Sequence, residues 1–147
     1  METSLVEFQY LCVHDALVNN YWLHKWKCRD DNVCRLCNSS PEDIFHMFWF
    51  CRIVQIFWDS FNAHFNALGL QIVMKDVFVG RDTVCENIII QYAKKYIYTC
   101  FVENIKPEKK GFMSYLSYKM NIEKCIYMEK NRVELWQNRW CKCLDNT

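Results

Sequence analysis

The stretch Cys34-Arg35-Leu36-Cys37-Asn38-Ser39-Ser40-Pro41-Glu42-Asp43-Ile44-Phe45-His46-Met47-Phe48-Trp49-Phe50-Cys51 has the spacing C-x2-C, eight residues, H-x4-C. A C-x2-C turn aims two thiolates at one centre, and a later His and Cys approach it from a helical segment. Three thiolates and one imidazole complete the closed tetrahedron that structural zinc takes. Cys34, Cys37, His46 and Cys51 are therefore the candidate ligands of one structural Zn2+ ion. His46 and Cys51 stand five apart, about 140° around an ideal helix, so they cannot share a face of a regular one. A break or tightened turn is expected near residues 50–52. The competing reading is four unrelated side chains in a Cys-rich chain, because cysteine is among the most buried residue types. Against it, His46 lies in an otherwise apolar octet, where an unpartnered imidazole is costly to bury. Cys28, six residues before Cys34, is the substitute ligand to weigh.

Outward from this stretch the pattern is helical. Ser40 reads as a helix cap with Pro41 at the first helical position, and the acids Glu42 and Asp43 suit the helix dipole. Ile53, Phe57, Phe61 and Phe65, joined by Val54, Trp58 and Leu68, then form a ridge ending at Gly69. Upstream, Ser4 with Glu7 has the form of a capping box for a helix to about residue 18, with Leu5, Phe8, Leu11 and Cys12 facing a core. Asn19 or Asn20 can cap a short helix over 21–27, followed by a polar loop at 28–32. Downstream, 70–81 is ambiguous, with a short strand expected at 77–79. Helices follow over 86–106 and, opened by Pro107, over 108–129. Asn131 is placed to cap a last helix bearing Leu135, Trp136, Arg139 and Trp140. The expected fold is mainly α: one helical domain over 1–147 with a small CCHC zinc knuckle and at most one short strand pair. Its parts are a lead-in at 1–33, the knuckle at 34–51 and a helical tail at 52–147.

Composition agrees. The 147 residues are 52% hydrophobic and 24% charged, with only three Gly and two Pro, too few turn residues for a many-stranded sandwich or barrel. Ten cysteines without a secretory-type N-terminus point to a reducing, intracellular compartment, nuclear or cytoplasmic, and no run is long enough for a membrane span. Cys12, Cys85, Cys100 and Cys125 read as core thiols, Cys141 and Cys143 as inert, and His14, His24 and His64 as surface or satisfied. The net charge of +1 hides an asymmetry: residues 1–90 carry 7 basic and 11 acidic side chains, residues 91–147 carry 11 and 6. Such polarity allows a nucleic-acid face. No catalysis is expected. Asp30-Asp31 has no flanking strands to make a metal-binding hairpin, and no Gly-rich phosphate loop or nucleophile elbow is present.

The quartet, the Glu42-Asp43-Ile44-Phe45-His46-Met47-Phe48-Trp49 run and Phe57-Trp58 together resemble the zinc-binding region that follows the reverse transcriptase of non-LTR (LINE-type) retrotransposons. Weaker similarity extends over about residues 8–144, through Phe8-Gln9-Tyr10, Asn20-Tyr21-Trp22-Leu23, Phe78-Val79-Gly80, the helix from Ile88 to Tyr98 and the Trp136 to Trp140 close. The chain departs from the family pattern at Val18 and Arg52, where proline is often found. The resemblance implies a non-catalytic module that holds template RNA or target DNA in target-primed reverse transcription, beside the upstream polymerase. Under that reading Arg35 and Arg52, flanked by Lys27 and Arg29, and Lys94 with Lys95 are the candidate nucleic-acid contacts, and Phe48 and Trp49 either stack on bases or pack behind the zinc. Two other readings stand beside it: a zinc-stabilised helical module that docks onto another protein, and a relic reading frame without activity.

Overall fold

The computed structural model describes residues 3–144. Helices α1 (Thr3–Val13) and α2 (Asn20–Lys25) lead into the knuckle, and a widened π-type turn (His46–Phe50) leads out of it. Helices α3 (Arg52–Phe65), α4 (Met74–Phe78), α5 (Val84–Glu103), α6 (Lys109–Glu129), α7 (Val133–Arg139) and α8 (Cys141–Leu144) follow. The mainly α reading holds. Among the described residues the one strand-like pairing is the antiparallel bridge between Val33 and Pro41, and no helix is long and apolar enough to cross a membrane.

Helix starts follow local chemistry. Asn19 caps α2, its side-chain oxygen accepting the Trp22 N–H at 3.1 Å. Ser40 does not cap the segment that carries His46. Its carbonyl accepts the Cys34 N–H at 2.8 Å, and the Glu42 N–H donates to Asn32 at 2.8 Å, so residues 32–42 are spent on a tight turn. Asp43 caps instead, its carboxylate accepting the His46 N–H at 2.7 Å. Residues 77–79 form no strand, because Asp76 accepts the Val73 N–H at 3.0 Å and closes the first turn of α4.

Helix ends use an unexpected device. Past α1, the Asp15 N–H donates to Cys12 and the Ala16 N–H to Leu11, with Asp15 left-handed at φ 49°. The same paired closure recurs at Lys27, Gly69, Asn104 and Asn131, all with positive φ. With so few glycines, Asp, Lys and Asn take the left-handed position. Asn131 therefore closes α6 and does not cap the next helix. Likewise α1 stops at Val13, short of residue 18.

The core forms where α3 and α6 meet the central helix α5. Seven consecutive residues of α5, Ile88 to Lys94, are buried, because α5 is covered on all sides. From α3, Phe57 and Phe61 meet Phe112 of α6 with ring centroids 5.7 Å apart in both pairs. The indole N–H of Trp58 donates to the Phe48 carbonyl at 2.8 Å, joining α3 to the π-type turn. Phe8 of α1 packs edge-on against Phe48 at 6.3 Å. At the other end, the buried Glu123 accepts from the Tyr92 hydroxyl (2.9 Å), the Trp140 indole (2.8 Å) and both Arg139 nitrogens that reach it (2.9 and 3.2 Å). One carboxylate thus ties α5, α6 and the C-terminal turns together.

Removing that carboxylate strands an arginine and two buried donors. Glu123→Ala is expected to destabilise the chain by about 3–5 kcal/mol, read as a lower midpoint in urea unfolding followed by tryptophan fluorescence.

Candidate metal centre

The tight turn supplies Cys34 and Cys37. The Asn38 N–H donates back to the Cys34 carbonyl at 2.9 Å, and Asn38 takes the left-handed conformation (φ 53°), which turns the chain sharply after the second thiol. His46 opens the π-type turn and Cys51 follows it. The Cys51 N–H donates to the His46 carbonyl itself, at 2.8 Å, so the two ligand residues close a single wide ring. Cys51 is extended (φ −63°, ψ 123°), and α3 begins only after it. Of the two expected forms, a break or a tightened turn, the break is present, and the turn before it is widened. That is how residues five apart converge.

The Cys34 and Cys51 sulfurs lie 3.9 Å apart, and the Cys37 sulfur lies 3.3 Å from Nε2 of His46. All four ligand atoms fall within 4.8 Å of one another, and all four residues are buried. Zinc bonds of about 2.3 Å to sulfur and 2.0–2.1 Å to nitrogen, in a regular tetrahedron, place sulfurs about 3.8 Å apart and a sulfur–nitrogen pair about 3.6 Å apart. The Cys34–Cys51 and Cys37–His46 spacings match those figures within a few tenths of an ångström. Three sulfurs and one imidazole leave no open position for water, so the cluster fits one structural zinc ion, which when bound would cross-link the turn to the start of α3.

Local electrostatics supports the thiolate form at two of the three sulfurs. The hydrogen bond with Cys51 pushes Cys34, which burial also raises, up to about 12, and the same bond lowers Cys51. Burial raises Cys37, but hydrogen bonds from the Ser39 hydroxyl (3.2 Å) and the backbone outweigh it, and the thiol falls below its ordinary value. His46 is raised, chiefly by its hydrogen bond with Cys34.

The remaining thiols and imidazoles stay outside. Cys28 is exposed and its thiol points to the Trp26 carbonyl at 3.7 Å, so it is not the substitute ligand. Cys12, Cys85 and Cys100 are buried as expected, whereas Cys125 is exposed on α6 and no core thiol. His24 contacts the Arg29 carbonyl (3.2 Å), His14 lies against Tyr10 and His64 against Phe65.

Two of the four expected nucleic-acid contacts turn inward. Arg35 donates to Glu42 through Nη2 at 2.7 Å and through Nε at 3.1 Å. It also reaches Oδ1 of Asn20 at 3.0 Å and the Phe101 carbonyl at 3.2 Å. Its guanidinium is thus consumed within the fold and does not face phosphate. Glu42, 0% exposed, also accepts the backbone N–H groups of Arg35 (2.9 Å) and Asn20 (3.0 Å). No feature of the sequence singled out Glu42 for this role beyond its place in the acidic pair. Lys94 is 2% exposed, its ammonium 3.5 Å from Gln9 Oε1 and 5.4 Å from the Phe48 ring centre, so it is no surface contact either. Burial lowers its pKa. Lys95 is half-buried, with Nζ 2.8 Å from Ser4 Oγ. Arg52 is exposed, one nitrogen 3.5 Å from the Cys37 carbonyl. Phe48 is fully buried and Trp49 packs against Trp58 at 6.2 Å, so both aromatics lie behind the cluster.

Elemental analysis of purified chain should find about one zinc per molecule, and Cys37→Ser should lose it together with much of the folded population, since structural zinc contributes on the order of 10–16 kcal/mol in small fingers. Because thiolates and neutral imidazole bind the metal, protons compete as pH falls. Zinc release followed with a chromogenic chelator should therefore increase toward acid.

No curated protein and no solved structure matches the chain. A family model described as zinc-binding in reverse transcriptase matches residues 2–58, the span that contains α1, α2, all four clustered ligands and the first half of α3: the chain carries a zinc-binding segment similar to one found in reverse transcriptases.

Proposed function

We propose that the chain is a zinc-stapled accessory module of a non-LTR (LINE-type) retrotransposon reverse transcriptase, lying C-terminal to the polymerase and acting in the nucleus or cytoplasm. Its role in this reading is to hold template RNA or target DNA during target-primed reverse transcription, with no chemistry of its own. One coincidence carries the proposal: the segment that matches zinc-binding in reverse transcriptase is the segment in which three thiols and an imidazole converge. A metal-fixed turn holds nearby cations with little ordering cost on binding. Exposed cations in and beside it include Lys25, Lys27, Arg29 and Arg52, with Lys106 exposed between α5 and α6 and Lys109, Lys110 and Lys124 exposed on α6. Contacts of this kind position a phosphate backbone and do not read its sequence.

A second reading has its own observation. On α6, Tyr118, Ile122, Ile126 and Met128 are exposed. Beside them Ile122, Ile126 and Tyr127 line a depression of about 220 Å³ rimmed by Lys119, Lys130 and Arg132. That face suits docking onto the upstream polymerase or another protein.

Filter binding of labelled RNA and DNA over a salt series tests the choice. The nucleic-acid role predicts a linear fall of log affinity with log salt, and a weaker complex with a shallower slope for the double variant Lys27→Glu/Arg52→Glu. Affinity indifferent to both manipulations would leave the docking reading in its place.

A further inference from the structure

We infer that the exposed side of α2 and the turn after it form a stacking platform for the unpaired bases of single-stranded nucleic acid. This rests on the nucleic-acid reading above and gives it a location. Trp22 and Trp26 are four apart and so share one side of the helix. Their ring centroids lie 5.8 Å apart with planes 25° from parallel, an offset stack. Tyr21 meets Trp22 edge-on at 5.3 Å, and the Lys25 ammonium stands 4.8 Å from the Trp22 ring centre. Trp22 is half-buried and anchors the pair, while Trp26 is 55% exposed. The outward indole follows from the backbone. Lys27 takes the left-handed conformation (φ 59°), and the Cys28 N–H donates to Leu23 at 2.8 Å, so the chain folds back immediately after Trp26 and does not cover it.

The platform is rigid at its base. The Asn20 N–H donates to Glu42 at 3.0 Å, its side-chain amide to the Val33 carbonyl at 2.7 Å, and the Tyr21 N–H to the Glu42 carbonyl at 3.1 Å. Glu42 also binds Arg35, which lies between Cys34 and Cys37, so the stacked indoles are fixed to the turn that bears two of the metal ligands. The surroundings decide the class of partner. Lys25, Lys27 and Arg29 lie within five residues and are all exposed. Asp31 offsets Arg29 at 3.7 Å, and residues 20–31 retain a net charge of +1, from three cations and two acids. The core of a protein-docking surface is depleted of lysine, whereas an indole flanked by ammonium groups matches a base face with phosphates on either side. A duplex shows base faces only at its ends, so the ligand is single-stranded.

Fluorescence anisotropy with fluorescein-labelled oligouridine and oligothymidine of about 15 nucleotides, and with a duplex of equal length, tests the platform on the zinc-loaded full chain. The expected result is tighter binding of both single strands than of the duplex. Trp26→Ala should weaken single-strand binding about tenfold, with Trp26→Phe retaining most of it. Melting temperature should fall by only a few degrees in Trp26→Ala and be unchanged in Trp26→Phe, since about half of the side chain is exposed and its main contact is the Trp22 ring. Lys25→Gln with Lys27→Gln should flatten the salt slope by about 1.4, twice the single-strand value per contact. If the chain binds nucleic acid in a salt-dependent way but Trp26→Ala binds like the parent, the platform is wrong and the wider role survives. Equal affinity for duplex also overturns the platform alone. If no probe binds at low salt, both readings fall.

Discussion

Three thiols and an imidazole gathered within 4.8 Å, all screened from solvent, constrain the rest of this chain more than any apolar contact. Hydrophobic burial can place cysteines side by side, but it gives no reason for four polar ligand atoms to gather within reach of one ion. A divalent cation does. The geometry has consequences in both directions along the chain. Upstream, residues 32–42 must double back to bring Cys34 and Cys37 together, which draws Ser40 out of its helix. Downstream, the helix must widen by one residue per turn and then stop at Cys51 so that His46 and Cys51 meet. The start of α3 is therefore set by the metal ligands, and with it the ridge of Phe57, Phe61 and Phe65 that packs on α5 and α6.

A carboxylate passes this constraint outward. Glu42 holds Arg35 inside the knuckle and the first N–H of α2, while Arg35 in turn reaches the Phe101 carbonyl near the end of α5. Arg35 and Phe101 are 66 residues apart, yet all three elements share one buried ion pair. Breaking such a pair from one side leaves a buried charge uncompensated, so the loop cannot shift without disturbing α2 and α5 together. Glu123 does the same at the opposite end with Arg139, Tyr92 and Trp140. Two buried carboxylates, each gathering an arginine and other donors, hold the central helix at its middle, through Tyr92, and near its C-terminal end, through Phe101.

The chemistry of the centre was legible because it depends on residue types and spacing, and both survive in a linear string. The 140° argument required a backbone irregularity between His46 and Cys51; only its kind, wide and not tight, needed coordinates. Boundaries were less legible where two local options competed. Ser40-Pro41 is a good helix start on its own terms, but Asp43 is too, and the tight turn decided between them. Helix ends were obscured by the shortage of glycine. Asp15, Lys27, Asn104 and Asn131 each accept a left-handed backbone that disfavours L-residues by about 1–2 kcal/mol, in exchange for two closing hydrogen bonds. Asn131 is ambiguous in the sequence for that reason, since the same side chain serves at either end of a helix. Charge was the least legible property. Arg35 and Lys94 look like surface cations in a string, and nothing short of their partners, Glu42 and the Phe48 ring, shows that they point inward.

Arg52 bears on how the backbone is held just after the last of the four ligands. It occupies the first position of α3, where a backbone N–H has no helical partner and proline's missing donor therefore costs nothing. Proline there would also hold the preceding residue extended, which is the conformation Cys51 adopts. Here the His46–Cys51 hydrogen bond and convergence with Cys34 impose that conformation without it. Position 52 instead carries an exposed guanidinium beside the Cys37 carbonyl, on the knuckle itself. A charge without proline's backbone restraint is tolerable there only where another interaction already fixes the backbone, and the four converging ligands supply that fixation.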